Sequence, residues 1–361
     1  MNTINIGVDL HKHQFTNYYL CKNEGFSKKF STNEAGITSF KEEIKMMQEK
    51  GFRVKVAVES TGNTRFFKNQ IEQLGIKVVV VNTMKFKVVN ESVNKTDKRD
   101  AKVIAEFLAK DMLPEVHLSS EKSEKLRRLV GVRKELVKTR VKLKNTIHGM
   151  LLSFGIETKA GLLNSQKGLK KAVDLVSDED NKMIIETIVS SIKVLSEKIK
   201  DVEEKLEGLS AGDRVVEILK SIPGTGSLTA ITVRAYMDDV KRFSHYNKLS
   251  AYCGLVPWVK CSDQTQHYGK ITKRGPVELR TAVVQMVLGM IRCKSEKHNR
   301  LMTAYRNMKK LKGSGKSIVA TARKLTKIIW TMLTNDEEYS LEKINVVYDD
   351  VSKKEMSSLA A

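Results

Sequence analysis

Along the first 118 residues, short apolar runs alternate with amphipathic stretches, the pattern of strands interleaved with helices. Residues 4–9 form an apolar run ending on a carboxylate, 15–21 are rich in β-forming residues, and 26–30 make a third candidate strand. Residues 33–50 then carry Ile37, Phe40, Ile44 and Met47 on one helical face. A buried-type strand over 54–58 ends at Glu59, a helix follows over about 64–74, and 76–81 is the most continuous β-branched run of the chain. Residues 100–110 read as a helix with Ala101, Ile104, Ala105 and Leu108 facing inward. The order of three strands, helix, strand, helix, strand, helix predicts a mixed sheet flanked by helices.

The period changes after residue 118. From 121 to about 153 apolar residues recur at Leu129/Val130, Leu136/Val137, Leu143, Ile147 and Met150/Leu151, close to a heptad spacing. A second helical stretch over 180–209 is apolar at Ile184/Ile185, Ile188, Ile192, Leu195 and Ile199, and 155–178 reads as a looser connection. The expectation for 119–210 is a helical hairpin or coiled-coil spacer. The last third is mainly helical, with helices over 215–219, 228–236, 248–253, 277–293 and 316–333 and a polar segment over 260–273. The chain thus reads as α/β plus all-α: a domain over 1–118, a spacer over 119–210, a helical domain over 211–340 and a polar, frayed tail over 341–361.

Charge narrows the partners. The 361 residues include 64 Lys and Arg against 42 acidic residues, a formal net charge of +22, which points to a polyanion. Within 121–160 there are 11 basic residues against 4 Glu, so that helix suits a dimerisation coil, a nucleic-acid arm, or both. No apolar run approaches membrane-spanning length, and the start MNTINIGVDL lacks a basic n-region. Cys21, Cys253, Cys261 and Cys293 show no C-x-x-C or metal-ligand spacing, so they read as free thiols of a cytoplasmic protein.

The chemistry concentrates in carboxylates. Asp9 ends the first strand in GVDLHK, Glu59 ends a later strand in VAVES, and Asp97 and Asp100 sit three apart at a helix start in KTDKRDA. Converging at one sheet edge, such hard oxygen donors suit Mg²⁺ or Mn²⁺, and a metal pair would stabilise the attacking and leaving oxygens of a phosphodiester displacement. Asp97 alone also fits as the N-cap of the following helix. In SIPGTGS, over 221–227, a glycine turn between helices either exposes backbone N–H groups to a phosphate or is an ordinary helix–helix turn.

GVDLHK, VAVESTGN and NKTDKRDA closely resemble the RuvC-like, DEDD-type transposases of the insertion-sequence family numbered one-ten, over residues 3–118. SIPGTGSLTAITV, FSHYNKLSAYCGLVP, GKITKRGPVELRTAVVQ and ARKLTKIIWTML resemble that family's C-terminal transposase domain, over 216–334. The resemblance implies a ribonuclease-H-like domain with Asp9, Glu59, Asp97 and Asp100 as its four metal-binding acids. It also implies a serine nucleophile that links covalently to DNA, and the matching position is Ser262 in KCSDQTQHYGK. Family members commonly have Ser-Gly there, whereas this chain has Ser262-Asp263. Guidance by a structured non-coding (bridge) RNA is implied as well.

Lys270, Lys273, Arg274 and Arg280 surround that segment, and Lys12, Lys98 and Arg99 flank the acids. These are candidate phosphate contacts or stabilisers of developing charge. His267 is an acid, a base or a DNA contact. The leading expectation is a transposase or recombinase acting on DNA as a homo-oligomeric dimer or tetramer. The alternatives are a structure-selective nuclease resembling a Holliday-junction resolvase with Ser262 inert, an actin-like ATPase, and an architectural DNA-binding protein.

Overall fold

The computed structural model describes residues 2–83, 85–86, 96–262, 265–293 and 299–343; the side chains of 260–266 and 268 lie outside that description. Two compact units divide the chain, Met1–Leu118 and Ser119–Ala361.

In the first unit β1 (Thr3–Leu10), β2 (Gln14–Cys21), β3 (Glu24–Ser31), β4 (Arg53–Glu59) and β5 (Val78–Val81) form one sheet in the order β3-β2-β1-β4-β5. β1 runs antiparallel to β2 and parallel to β4, so the sheet is mixed, as in ribonuclease-H-like folds. Alternation along β1 sends Ile4, Ile6, Val8 and Leu10 into a core with Phe40 and Ile44 of α1 (Glu34–Glu49) and Phe67 and Ile71 of α2 (Thr64–Glu72). On the opposite face, Gly7 receives α3 (Asp97–Ala109). A Cβ there would stand 2.1 Å from the Ala101 carbonyl oxygen and 2.5 Å from the Ala105 nitrogen. Only glycine lets the helix backbone lie this close to the strand.

The second unit is mainly helical. Its two long helices, α4 (Glu121–Ser153) and α6 (Glu179–Ser210), pack together. Arg133 of α4 bonds Glu203 of α6 at 2.6 Å. At one end of the pair Ile147 and Leu151 meet Ile185 and Ile192 in a small core that includes Leu169 and Ala172. Those last two belong to α5 (Gln166–Asp174), so the stretch 155–178, read as a loose connection, contains a packed helix. Its brevity hid it, for its nine residues offer only about two and a half turns of periodicity.

At the other end Leu126, Val130 and Leu206 enter the main core. That core is built from α7 (Arg214–Lys220), α8 (Ser227–Met237), α9 (Tyr246–Tyr252), α10 (Val277–Arg292), α11 (Arg300–Lys312) and α12 (Ser314–Asn335). The helix α11 was not legible as an apolar stripe, because only Leu301, Met302 and Tyr305 of its thirteen residues are buried. The segment 260–273 is largely a hairpin, in which β6 (Pro257–Ser262) pairs antiparallel with β7 (Thr265–Ile271). The glycine turn of SIPGTGS has a packing role. A Cβ on Gly224 would fall 2.4 Å from the Gly289 carbonyl carbon, so the turn lies directly on the α10 backbone. The tail after residue 343 lies outside the described residues, and no described helix is long and apolar enough to cross a membrane.

Candidate metal and DNA-processing site

β1 and β4 run parallel with Val8 opposite Val58, so Asp9 and Glu59 occupy the next positions at the same ends of adjacent strands. Neighbouring strands are roughly 4.8 Å apart, which sets these two residues side by side at one sheet edge; among the described residues the ligand atoms that lie within 4.8 Å of one another are those of Asp9, His11 and Asp97, a group without Glu59 and Asp100. The contact of α3 with Gly7 brings the first turn of that helix, with Asp97 and Asp100, over the same edge. Asp97 is not the cap of this helix. Thr96 is the N-cap, accepting the Arg99 N–H on its Oγ1 at 3.3 Å, which leaves the Asp97 carboxylate available to the site.

Asp9 records the convergence electrostatically. Its carboxyl is pushed up to about 6, first by burial and then by Glu59, Asp97 and Asp100, against the opposing effect of His11. The side chain is 5% exposed, so water screens little of this repulsion. Thr16, paired with Asp9 across the β1–β2 ladder and buried, has an Oγ1 with no hydrogen-bond partner. Crowded hard oxygen donors beside an unsatisfied buried hydroxyl fit a divalent cation.

His11, two residues past Asp9, was not singled out from sequence. Its Nε2 lies 3.2 Å from Asp9 Oδ2 and 3.5 Å from Asp97 Oδ1, and Lys29 Nζ is 3.9 Å from Asp97 Oδ2. The signal was its place two residues past Asp9, just beyond the end of β1. The STGN of the second motif has a positioning role. Thr64 Oγ1 donates to the Glu59 carbonyl at 2.8 Å and accepts from the Thr61 N–H at 2.7 Å, while Asn63 Nδ2 donates to the His11 carbonyl at 3.1 Å. Lys12, Lys98 and Arg99 are exposed beside the acids.

In the second unit Ser262 is the last residue of β6, opposite Thr265 at the hairpin tip. His267, Lys270, Lys273 and Arg274 are exposed. Arg280 is committed to structure as well as charge. Its Nη1 donates to the Cys253 and Lys273 carbonyls at 3.3 and 3.2 Å, tying the hairpin base to the end of α9. Cys253 is buried, and burial pushes its thiol up to about 12, which leaves it inert.

A mixed sheet with acids at its strand ends, followed by a helical unit, is the arrangement of a DEDD transposase, and comparison with known proteins agrees. A DEDD transposase model of the IS110 group matches residues 6–156, and the model described as "Transposase IS116/IS110/IS902 family" matches residues 216–302. The chain belongs to this family of insertion-sequence transposases, so it cleaves and rejoins DNA in transposition. Among its relatives is the transposase for insertion sequence element IS1111A of Coxiella burnetii, 28% identical over 289 residues, covering 79% of each chain. The transposase for insertion sequence element IS1328 of Yersinia enterocolitica is 27% identical over 289 residues, covering 79% of this chain and 85% of the relative.

Proposed function

We propose that this transposase excises and integrates its element by strand cleavage and rejoining through a covalent Ser262–DNA intermediate, assisted by Asp9, Glu59, Asp97 and Asp100. The observation that carries the metal half of the reading is the cluster of Asp9, His11 and Asp97, whose ligand atoms lie within 4.8 Å of one another, and the family match over residues 216–302 supports the serine half. The reading includes a divalent cation, Mg²⁺ or Mn²⁺; bound there, the metal would supply electrostatic stabilisation to a phosphodiester in displacement. Asp9 and Glu59 would hold it from the sheet, Asp97 and Asp100 from the helix.

Ser262 needs its proton removed and its target phosphate held. Lys270, Lys273 and Arg274 are exposed on the same hairpin and the loop that follows it, which supports a role in holding that phosphate. Lys12, Lys98 and Arg99 would contact the backbone of DNA at the acids, and Arg280 would keep the hairpin base in place.

In this reading residues 119–210 act as a helical spacer and 211–340 as the transposase domain. A homo-oligomer, a dimer or tetramer, belongs to this reading because strand exchange needs several active sites. The net charge of +22 supports a second polyanion, a non-coding guide RNA, beside the DNA in a prokaryotic cytoplasm.

The test incubates protein, Mg²⁺, labelled element-end DNA and the element's non-coding RNA, then looks for a denaturant-resistant protein–DNA adduct. The expected adduct depends on the RNA and is lost in both Ser262→Ala and Asp9→Asn. Free cleaved product without adduct, unchanged by Ser262→Ala, would mean a metal-dependent nuclease and overturn the serine assignment.

A further inference from the structure

Resting on the proposed carboxylate site, we infer that His11 supplies it with a nitrogen ligand through Nε2, and that this imidazole shifts the preference of the site from Mg²⁺ towards Mn²⁺. Asp9, His11 and Asp97 each offer one ligand atom, all within 4.8 Å of one another. His11 Nε2 stands 3.2 Å from Asp9 Oδ2 and 3.5 Å from Asp97 Oδ1. Adjacent corners of an octahedron with metal–ligand bonds of 2.0–2.2 Å are separated by roughly 3 Å, so both spacings are close to those of neighbouring ligands on one ion.

Independent features of the fold hold the His11 backbone at this edge. The His11 backbone is fixed on both sides, its N–H donating to the Gln14 carbonyl at 3.0 Å and its own carbonyl accepting from Asn63 at 3.1 Å. The buried Thr16 hydroxyl beside Asp9, without a partner, is a further polar group facing the same place. Mg²⁺ demands oxygen ligands and keeps its waters, whereas first-row transition ions accept imidazole nitrogen readily. An Asp–His–Asp group therefore discriminates between Mg²⁺ and Mn²⁺ where four carboxylates alone would do so weakly.

The test loads the full-length protein with Mn²⁺ alone and reads nitrogen-14 hyperfine coupling by pulsed electron paramagnetic resonance. Mn²⁺ and Mg²⁺ affinities are measured in parallel. The expected wild-type spectrum carries one histidine nitrogen coupling. It is lost in His11→Ala and His11→Gln, retained in His13→Ala, and accompanied by a roughly tenfold fall in the Mn²⁺-to-Mg²⁺ affinity ratio in the His11 variants. Mn²⁺ bound without nitrogen coupling, or bound more tightly in His11→Ala, makes His11 a counter-ion that the metal displaces; the inference falls while the carboxylate site stands. Absence of any Mn²⁺ binding sensitive to Asp9→Asn removes the site and the inference together.

Discussion

At the scale of single residues, Asp9 shows how a site is maintained against stability. Its folded value of about 6 lies above the ordinary 3.8, so the fold favours the protonated form. The sign follows: the metal-free protein loses stability as pH rises from about 4 through 6, by up to about 3 kcal/mol for a two-unit shift. Asp9→Asn should therefore raise the melting temperature of the metal-free protein at pH 7 and flatten its decline between about pH 4 and 6. The same variant should lose the stabilisation that divalent metal gives the parent, and thermal melts with and without chelator read both effects.

Gly7 is the complementary case, a residue with no chemistry whose absent side chain brings the helix acids to the strand. Gly7→Ala would drive a methyl into the Ala101 carbonyl and cost on the order of 3 kcal/mol, with metal binding weakened in the protein that still folds. Calorimetry and metal titration measure the two losses.

Among elements, the start of α4 is fastened by several buried and half-buried polar contacts. Asp238, held at φ +63° just past α8, accepts from Ser120 Oγ at 2.5 Å and Ser123 Oγ at 2.6 Å. Arg234 donates to Asp213 at 3.1 Å and Ser123 at 2.9 Å, and Lys122 reaches Asp213 at 2.8 Å. Burial alone would raise Asp213, but the Lys122 bond and the Arg234 charge hold it below the usual carboxylate range. A depressed acid contributes stability above its unfolded value and loses it as pH falls through the folded one. Arg234→Met should cost about 3–5 kcal/mol in urea unfolding, because it leaves buried Asp213 and Asp238 short of a cation. Acid unfolding of the variant should begin at a higher pH than in the parent.

Over the whole molecule, the separate cores of the two units predict two calorimetric transitions in place of one. Gly7→Ala should lower only one of them and Arg234→Met only the other. The charge of +22 also acts at this scale, through counterions released from nucleic acid. DNA affinity should fall steeply and linearly on a logarithmic salt axis, and replacing Lys270 and Lys273 together should reduce the slope by about two.

The sequence by itself determined the elements of the first unit and the strand-end and helix-start positions of its candidate acids. Strand runs such as 4–9 and the stripe of Ile37, Phe40 and Ile44 are local patterns, and local patterns fix the type of element. The long helix Glu121–Ser153 was equally legible, since an apolar repeat over 33 residues leaves little choice. Tertiary structure decided what depends on two distant segments meeting. The β6–β7 hairpin is polar enough to read as a loop, and only cross-strand pairing makes it a sheet. Thr96 took the capping role because backbone geometry, not residue type, chooses between Thr96 and Asp97. His11 became part of the acidic cluster only when α3 settled on Gly7, since a ligand-like spacing between Asp9, His11 and Asp97 requires residues almost ninety positions apart to share one edge of a sheet.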